Sequence, residues 1–236
     1  MDRLKVSICM AVFNGEKFIR EQLDSILLQL GEHDEVVISD DGSTDQTLSI
    51  IKAYNDARIS IYHSGKRSII KNFENCLKRA TGDVIFLSDQ DDIWFPKKVV
   101  TVLSYMDEYD LVFSNASVFN ENTEQSYLLY SKTGTRTGLL RNFVKNNYIG
   151  ATMAFKRGVK DKALPFPPDI YMHDAWLAMV AETKGKTFFI EEPLIYYRRH
   201  GNNASETGEK SSNTFSEKMR MRYNLASSLL KRFLWR

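Results

Sequence analysis

The stretch Val84-Ile85-Phe86-Leu87-Ser88-Asp89-Gln90-Asp91-Asp92-Ile93-Trp94 governs how this chain is read. Its first four residues are an unbroken apolar run, the pattern of a strand buried on both faces. Three carboxylates then follow within four residues. They fall at the carboxyl end of the strand, where open α/β sheets hold their ligands. Clustered carboxylates repel one another unless a cation shares them. Asp-x-Asp in that position suits a hard cation such as Mg²⁺ or Mn²⁺, held against phosphate oxygens. The competing reading is a solvated acidic loop.

Upstream, strands and helices alternate. Val6 to Val12 is a buried strand, broken at Asn14-Gly15. Phe18, Ile19, Leu23, Ile26, Leu27 and Leu30 mark one helical face, which Gly31 stops. Glu35 to Ser39 is a second strand. The polar turn Asp40-Asp41-Gly42-Ser43-Thr44-Asp45 follows, with Ser43 or Thr44 as N-cap of a helix to about Tyr54. Ile59 to His63 is a third strand, and a helix runs from about Ile69 to Arg79. This alternation implies βαβ units and a mostly parallel sheet. Right-handed crossovers then bring Asn14, Asp40/Asp41 and Asp89/Asp91 to one sheet edge.

Downstream, Pro96 opens a helix to about Met106, and Asp110 to Asn115 is a strand. Glu121 to Gly138 is polar, a place for a hairpin or a lid. Asn147 to Phe155 reads as loop then strand, and His173 to Glu182 as a helix with Asp174 in its first turn. Thr187 to Ile190 and Leu194 to Tyr197 are two short strands around Glu191-Glu192-Pro193, and Arg198-Arg199-His200 ends the compact part.

With 236 residues, 43% of them hydrophobic, the chain can build one large domain with an extension. Cys9 and Cys76 fall in apolar or helical patterns with no CxxC spacing, as expected for buried thiols in a reducing compartment. Met1 to Lys5 shows no secretory signal, and no apolar run approaches the roughly 20 residues that span a bilayer. A cytoplasmic protein is expected, at most peripheral at the inner face of the plasma membrane. The net charge is +2, but the last 27 residues carry +6, which leaves the rest mildly acidic. An acidic body argues against a nucleic-acid partner. In the tail, Phe215, Met219, Tyr223, Ala226, Leu229/Leu230 and Phe233 form a helical stripe flanked by Lys and Arg. That pattern suits an anionic membrane surface. It equally suits a helix docked on its own domain or on a partner.

Val6 to Asn14, Asp40 to Asp45, Lys71-Asn72, Asp89-Gln90-Asp91-Asp92 with Trp94, Pro96 and Lys97, and His173-Asp174-Ala175-Trp176 together resemble the family 2 glycosyltransferases of GT-A fold. The resemblance spans about residues 4 to 200. It implies a GT-A α/β fold with a Rossmann-like, mostly parallel central sheet flanked by helices, and a C-terminal amphipathic extension. The implied division is a catalytic domain over 1–209 (nucleotide-binding half about 1–95, acceptor half about 96–209) and a basic helix over 210–236. The implied activity is inverting, metal-dependent transfer of a sugar from a UDP- or dTDP-linked donor to a saccharide or lipid-linked acceptor, in cell-surface polysaccharide synthesis. The wording Ser-Asp-Gln-Asp-Asp-Ile-Trp is similar to a subgroup associated with rhamnosyl transfer. Processive members carry Gln-x-x-Arg-Trp downstream; no Gln follows Gln125, so a non-processive enzyme is expected.

The resemblance assigns Ala11, Phe13, Asn14, Asp40 and Asp41 to the nucleotide, Lys71 to the base or diphosphate, and Asp89 to the ribose or sugar. It assigns Asp91 to Mg²⁺ or Mn²⁺, His200 to the metal as a further ligand or to a phosphate contact, Gly150 to the acceptor side, and Arg199 to the neighbourhood of the diphosphate. Asp174 matches the family's general base, which an inverting displacement needs to take the proton of the attacking hydroxyl. Position 173 is His where many relatives have Glu. Two other readings stand beside this one: transfer to a polyprenyl phosphate, which needs no strong base, and a non-catalytic nucleotide-sugar-binding subunit.

Overall fold

Alternation along the first strand, β1 (Val6–Val12), divides the core in two. Ile8 and Met10 face one hydrophobic cluster, Cys9 and Ala11 the other. Both faces of the sheet are therefore covered, which explains why its strands read as continuous apolar runs. The computed structural model describes residues 3–120, 123–130, 137–144, 146–200 and 214–234.

The remaining elements are α1 (Ile19–Leu27), β2 (Glu35–Asp40), α2 (Thr47–Ala53), β3 (Ile59–His63), α3 (Ile69–Leu77), β4 (Val84–Ser88), β5 (Ile93–Trp94), α4 (Lys98–Leu103), β6 (Leu111–Asn120), β7 (Thr123–Leu128), α5 (Leu139–Val144), β8 (Met153–Lys156), α6 (Arg157–Ala163), α7 (His173–Lys184), β9 (Thr187–Arg199) and α8 (Phe215–Leu234). They build one sheet in the order β3-β2-β1-β4-β8-β6-β9-β5, with β7 added to β6. From β3 to β4 every pairing is parallel, as the βαβ pattern requires. Beyond β4 the sheet is mixed: β8 runs antiparallel to β4 and β6, while β6 and β9 are parallel. Helices α1 and α4 pack on one face; α3, α6, α7 and α8 pack on the other.

Two local expectations are revised. Ser43 and Thr44 do not cap α2. The N-cap is Gln46, which makes no side-chain cap bond, and Asp45 before it accepts from the Thr47 amide at 3.0 Å and the Thr47 hydroxyl at 2.5 Å. The two short strands near the C-terminus are one strand, β9, because the register with β6 shifts across exposed Glu191-Glu192 and resumes at Pro193. A bulge is where a sheet tolerates proline. Within the polar stretch from Glu121 to Gly138, Thr123–Leu128 forms β7, antiparallel to β6, in keeping with the hairpin that the sequence allows. Residues 131–136 of that stretch, and residues 201–213 and 235–236 of the tail, lie outside the described residues.

Candidate active site

β1 and β4 are parallel neighbours, so the chain leaves both at the same edge. Gln90 ties the two exits together: its Oε1 accepts from the Phe13 amide at 2.9 Å and its Nε2 donates to the Phe13 carbonyl at 3.0 Å. Gly15 makes room for it, since a Cβ there would lie 2.4 Å from Gln90 Oε1. From the other side Arg198 of β9 grips the acidic loop. Its amide donates to Asp92 Oδ1 at 3.0 Å and its Nε to the Asp91 carbonyl at 2.8 Å. The guanidinium pairs with Glu21 and lies over Phe18 and Phe119. Beneath the loop, fully buried Lys98 donates to the Ala151 carbonyl at 2.8 Å and sits 4.1 Å over the Trp94 ring.

This anchoring holds more negative than positive charge in a dry place. Burial, then the charges of Asp91 and Asp174, push the Asp89 carboxyl up to about 7. Burial raises Asp92 as well, and one of its oxygens has no partner among the described residues. Burial also lowers the Lys98 ammonium to about 7, although Asp92 and Asp89 oppose the fall. A shared cation relieves such a deficit. The donor set fits one. Asp91 Oδ2 and His200 Nε2 are hydrogen-bonded at 2.9 Å, a carboxylate and an imidazole close enough to serve one divalent cation. Among the described residues no group of three or more His, Cys, Asp or Glu is arranged around a metal. The other positions would fall to ligand oxygens and water, as is usual for Mg²⁺.

The loop opens on a cleft of about 470 Å³, lined also by the end of β1, the start of α3 and the start of α7. Asp174 stands there in the first turn of α7. Its Oδ2 accepts from the Gly150 amide at 3.2 Å and its Oδ1 from the Ala175 amide at 2.6 Å. Burial outweighs these bonds and raises the carboxyl to about 6. His173 beside it is 4% exposed and stacks on Phe73 with ring centroids 4.0 Å apart. Both of its ring nitrogens are without a partner among the described residues, and burial depresses it to about 3, so it remains neutral. Gly150 is held close: a Cβ would lie 3.1 Å from His173 Nε2.

Of the residues assigned from sequence, Ala11, Phe13, Asp41, Asp89, Asp91, Gly150 and Asp174 line this cleft. Asn14, Asp40, Lys71, Arg199 and His200 do not. Asn14 joins two loops, its amide donating to Ser43 Oγ and its Oδ1 accepting from the Thr44 amide. Asp40 accepts from the Gly42 and Ser43 amides and so builds its own turn. Asp41 accepts from the amides of Lys66, Arg67 and Ser68, which fixes the loop carrying Arg67 into the cleft. Lys71 is turned to Glu74, 2.8 Å away; its buried neighbour Asn72 reaches the cleft instead, donating to the Val12 carbonyl with its own Oδ1 unpartnered. Gln90, Lys98 and Arg198 were not singled out from sequence. Arg198 was accessible to it: on a strand it shares a face with His200, and Arg199 does not.

The model of the family described as "Glycosyl transferase family 2" matches residues 7–164. Among curated proteins, the chain is similar to the dTDP-rhamnosyl transferase RfbG of Shigella flexneri, 32% identical over 215 residues and covering 82% of this chain and 72% of that protein. It is similar to the putative glycosyltransferase EpsE of Bacillus subtilis (strain 168), 33% identical over 124 residues, 50% of this chain and 45% of that protein. Among solved structures it resembles S. aureus TarS 1–349 in complex with UDP-GlcNAc, with TM-score 0.71 and 23% identity over 96% of this chain and 67% of that one. It also resembles the mannosyltransferase PcManGT from Pyrobaculum calidifontis in complex with GDP-Man and Mn²⁺, with TM-score 0.60 and 20% identity over 82% of this chain and 56% of that one. At such identities the structural likenesses speak to the fold alone.

Proposed function

The chain belongs to glycosyl transferase family 2, and from that premise we propose that it is an inverting, metal-dependent, non-processive enzyme of cell-surface polysaccharide synthesis. The fold is GT-A, and the chain is a glycosyltransferase that uses nucleotide sugars. The donor we take to be UDP- or dTDP-linked. The activity printed for the Shigella relative favours a dTDP-linked deoxyhexose. The acceptor is a saccharide or lipid-linked saccharide hydroxyl at the inner face of the plasma membrane, with the cationic C-terminal helix touching anionic lipid. The nucleotide half runs to about residue 95, the acceptor half from 96 to 209, and the helical extension follows.

The observation that carries this reading is the meeting of Asp91 and Asp174 in one cleft at the carboxyl ends of β1 and β4. Asp41 and the end of β1 receive the pyrimidine nucleotide, the carboxylate accepting the imide N–H of the base. Arg67 lies along the same wall. Asp89 accepts from the ribose or sugar hydroxyls. Asp174 takes the proton of the acceptor hydroxyl as its oxygen bonds to the anomeric carbon and the carbon–diphosphate bond breaks. A value of about 6 keeps Asp174 ionised in the neutral range yet basic enough to share a proton. The Gly150 amide orients it. A divalent cation, held by Asp91 and His200, would neutralise the charge left on the diphosphate.

A panel of UDP-, dTDP- and GDP-sugars tests this by thermal shift with Mn²⁺ or EDTA, followed by assay of nucleoside diphosphate release. Pyrimidine-linked donors should raise the melting temperature, and more so with Mn²⁺. Turnover unchanged by EDTA would show that Asp91 and His200 hold no catalytic cation.

A further inference from the structure

We propose that the outward faces of α5 and α8 form one docking surface for an anionic bilayer, set beside the acceptor wall of the cleft, so that the acceptor is an amphiphile taken from that bilayer. This deepens the reading above and rests on it for the identity of the cleft.

Helix α8 has two apolar faces, not one. Leu225 is 2% exposed, and Leu229 and Phe233 pack with it against the core on the α7 side of the sheet. Arg232 locks that face, donating to the carbonyls of Lys162, Leu164 and Pro165 and lying over the Trp176 ring. The helix is thus held on its own domain. The other face points outward: Phe215 is 78% exposed, Met219 48%, Tyr223 73% and Leu230 54%. Their spacings of four, four and seven place them on a single stripe.

Helix α5 lies against α8 and exposes apolar residues of its own. Leu140 and Val144 are 81% and 63% exposed there, and Arg222 of α8 donates to the Val144 carbonyl, so the two helices touch. Scattered exposed apolar residues are ordinary, but a contiguous patch marks an interaction surface. Its charge selects the partner. With Arg232 turned to the core and Arg222 to α5, residues 214–234 still carry Lys218, Arg220 and Lys231 against one acid, Glu217, and α5 adds Arg141. Apolar and aromatic side chains rimmed by Lys and Arg match the interface of a bilayer containing anionic lipid.

The patch adjoins the acceptor wall at both helices. From α5, Asn142 accepts from the Asn147 amide, and three residues later Gly150 donates to Asp174. From α8, Asn224 donates to the Asp169 carbonyl, on the segment leading to His173. An acceptor anchored in the bilayer therefore meets Asp174 without leaving the surface.

The test is co-sedimentation with vesicles of phosphatidylcholine, with or without about 30% phosphatidylglycerol, at about 50 and 500 mM NaCl. Wild type should bind only the anionic vesicles and release at high salt. Phe215→Ser/Tyr223→Ser and Leu140→Ser/Val144→Ser should each lower the bound fraction at least about tenfold. Leu28→Ser, at a residue 88% exposed elsewhere, should not. Transfer to a water-soluble acceptor should be unchanged in all three variants, while transfer to a vesicle-borne acceptor falls with binding. Wild type that ignores phosphatidylglycerol, or double variants that bind as well as wild type, would overturn the proposal. So would variants that turn a dimer into monomers in sedimentation velocity with vesicle binding intact, since the face would then belong to a second copy. Normal vesicle binding without turnover of any donor would refute the reading of the cleft and leave the surface standing.

Discussion

Asp174→Asn should disable the enzyme and stabilise the fold. The ordinary aspartate value is 3.8, and this carboxyl sits at about 6 in the folded chain. Keeping it ionised at pH 8 therefore costs about 3 kcal/mol, at 1.36 kcal/mol for each decade of proton affinity. Because Asp174 opens on the cleft, solvent screening reduces this to about 2 kcal/mol. Asparagine removes the charge but loses one of the two accepted amide bonds, from Gly150 or Ala175, which costs about 1 kcal/mol. The net gain of about 1 kcal/mol corresponds to a rise of about 2–4 °C for a chain of this size.

The sign of the pH dependence follows from the raised value. A carboxyl whose folded pKa lies above its unfolded one favours the folded state below about 4, and that contribution is lost as pH rises through about 6. The advantage of Asn over Asp should be full at pH 8, smaller at pH 5 and absent near pH 4. Rate should move the other way, with kcat falling about 10²- to 10⁴-fold from loss of the base. The assays are thermal melts across this pH range and single-turnover product formation with a saccharide acceptor. A melting temperature lowered more at pH 8 than at pH 5 would refute the electrostatic account. A near-normal rate would refute the base and point to an acceptor that is already ionised, such as a polyprenyl phosphate.

Lys98→Met should destabilise the fold by about 2–4 kcal/mol, since it orphans the Ala151 carbonyl and removes the buried cation facing Asp89 and Asp92. Added Mn²⁺ should recover part of that loss in a thermal melt, and equal destabilisation with and without Mn²⁺ would sever Lys98 from the cation site. Gly15→Ala should push Gln90 off the Phe13 backbone, because the new Cβ would lie 2.4 Å from its Oε1. Losing two hydrogen bonds of about 1 kcal/mol each should raise the donor KM while leaving the melting temperature within a few degrees. His173→Ala should raise a substrate KM by about tenfold without moving the acid limb of the pH profile, because the neutral ring's open nitrogens need a partner from substrate or water. A shifted acid limb would instead place His173 in the proton path.

What the sequence reveals here depends on whether a residue obeys a short period. β1 to β4 were legible because buried parallel strands are unbroken apolar runs between amphipathic helices. Their parallel order alone brings the acidic loop, Asp41 and the end of β1 to one edge. Periodicity also held two answers that residue type obscured. Asn72 lies one residue before Phe73 on the apolar phase of α3, while Lys71 falls outside it, so the helix buries the amide and exposes the cation. Arg198 shares its strand face with His200. Lys98, by contrast, is adjacent to Lys97 and carries no sequence mark of burial. What buries it is the long-range approach of Ala151 and Trp94.

The tail shows why composition alone cannot choose between docking and display. Its apolar residues fill more than one helical face, and the sequence pattern merges into one stripe what the fold uses as two. Leu225, at the centre of the inward face, was absent from that stripe, whereas Phe215, Met219 and Tyr223 were its first members and remain outside. A helix needing only to dock would keep its outward face polar. This one exposes large apolar side chains there, next to a second helix that does the same, and surrounds them with cations. Exposed apolar area of this kind favours aggregation unless something covers it. The fold therefore treats the two faces of α8 as separate surfaces, one spent on holding the α7 wall and Asp174 in place and the other left for a partner.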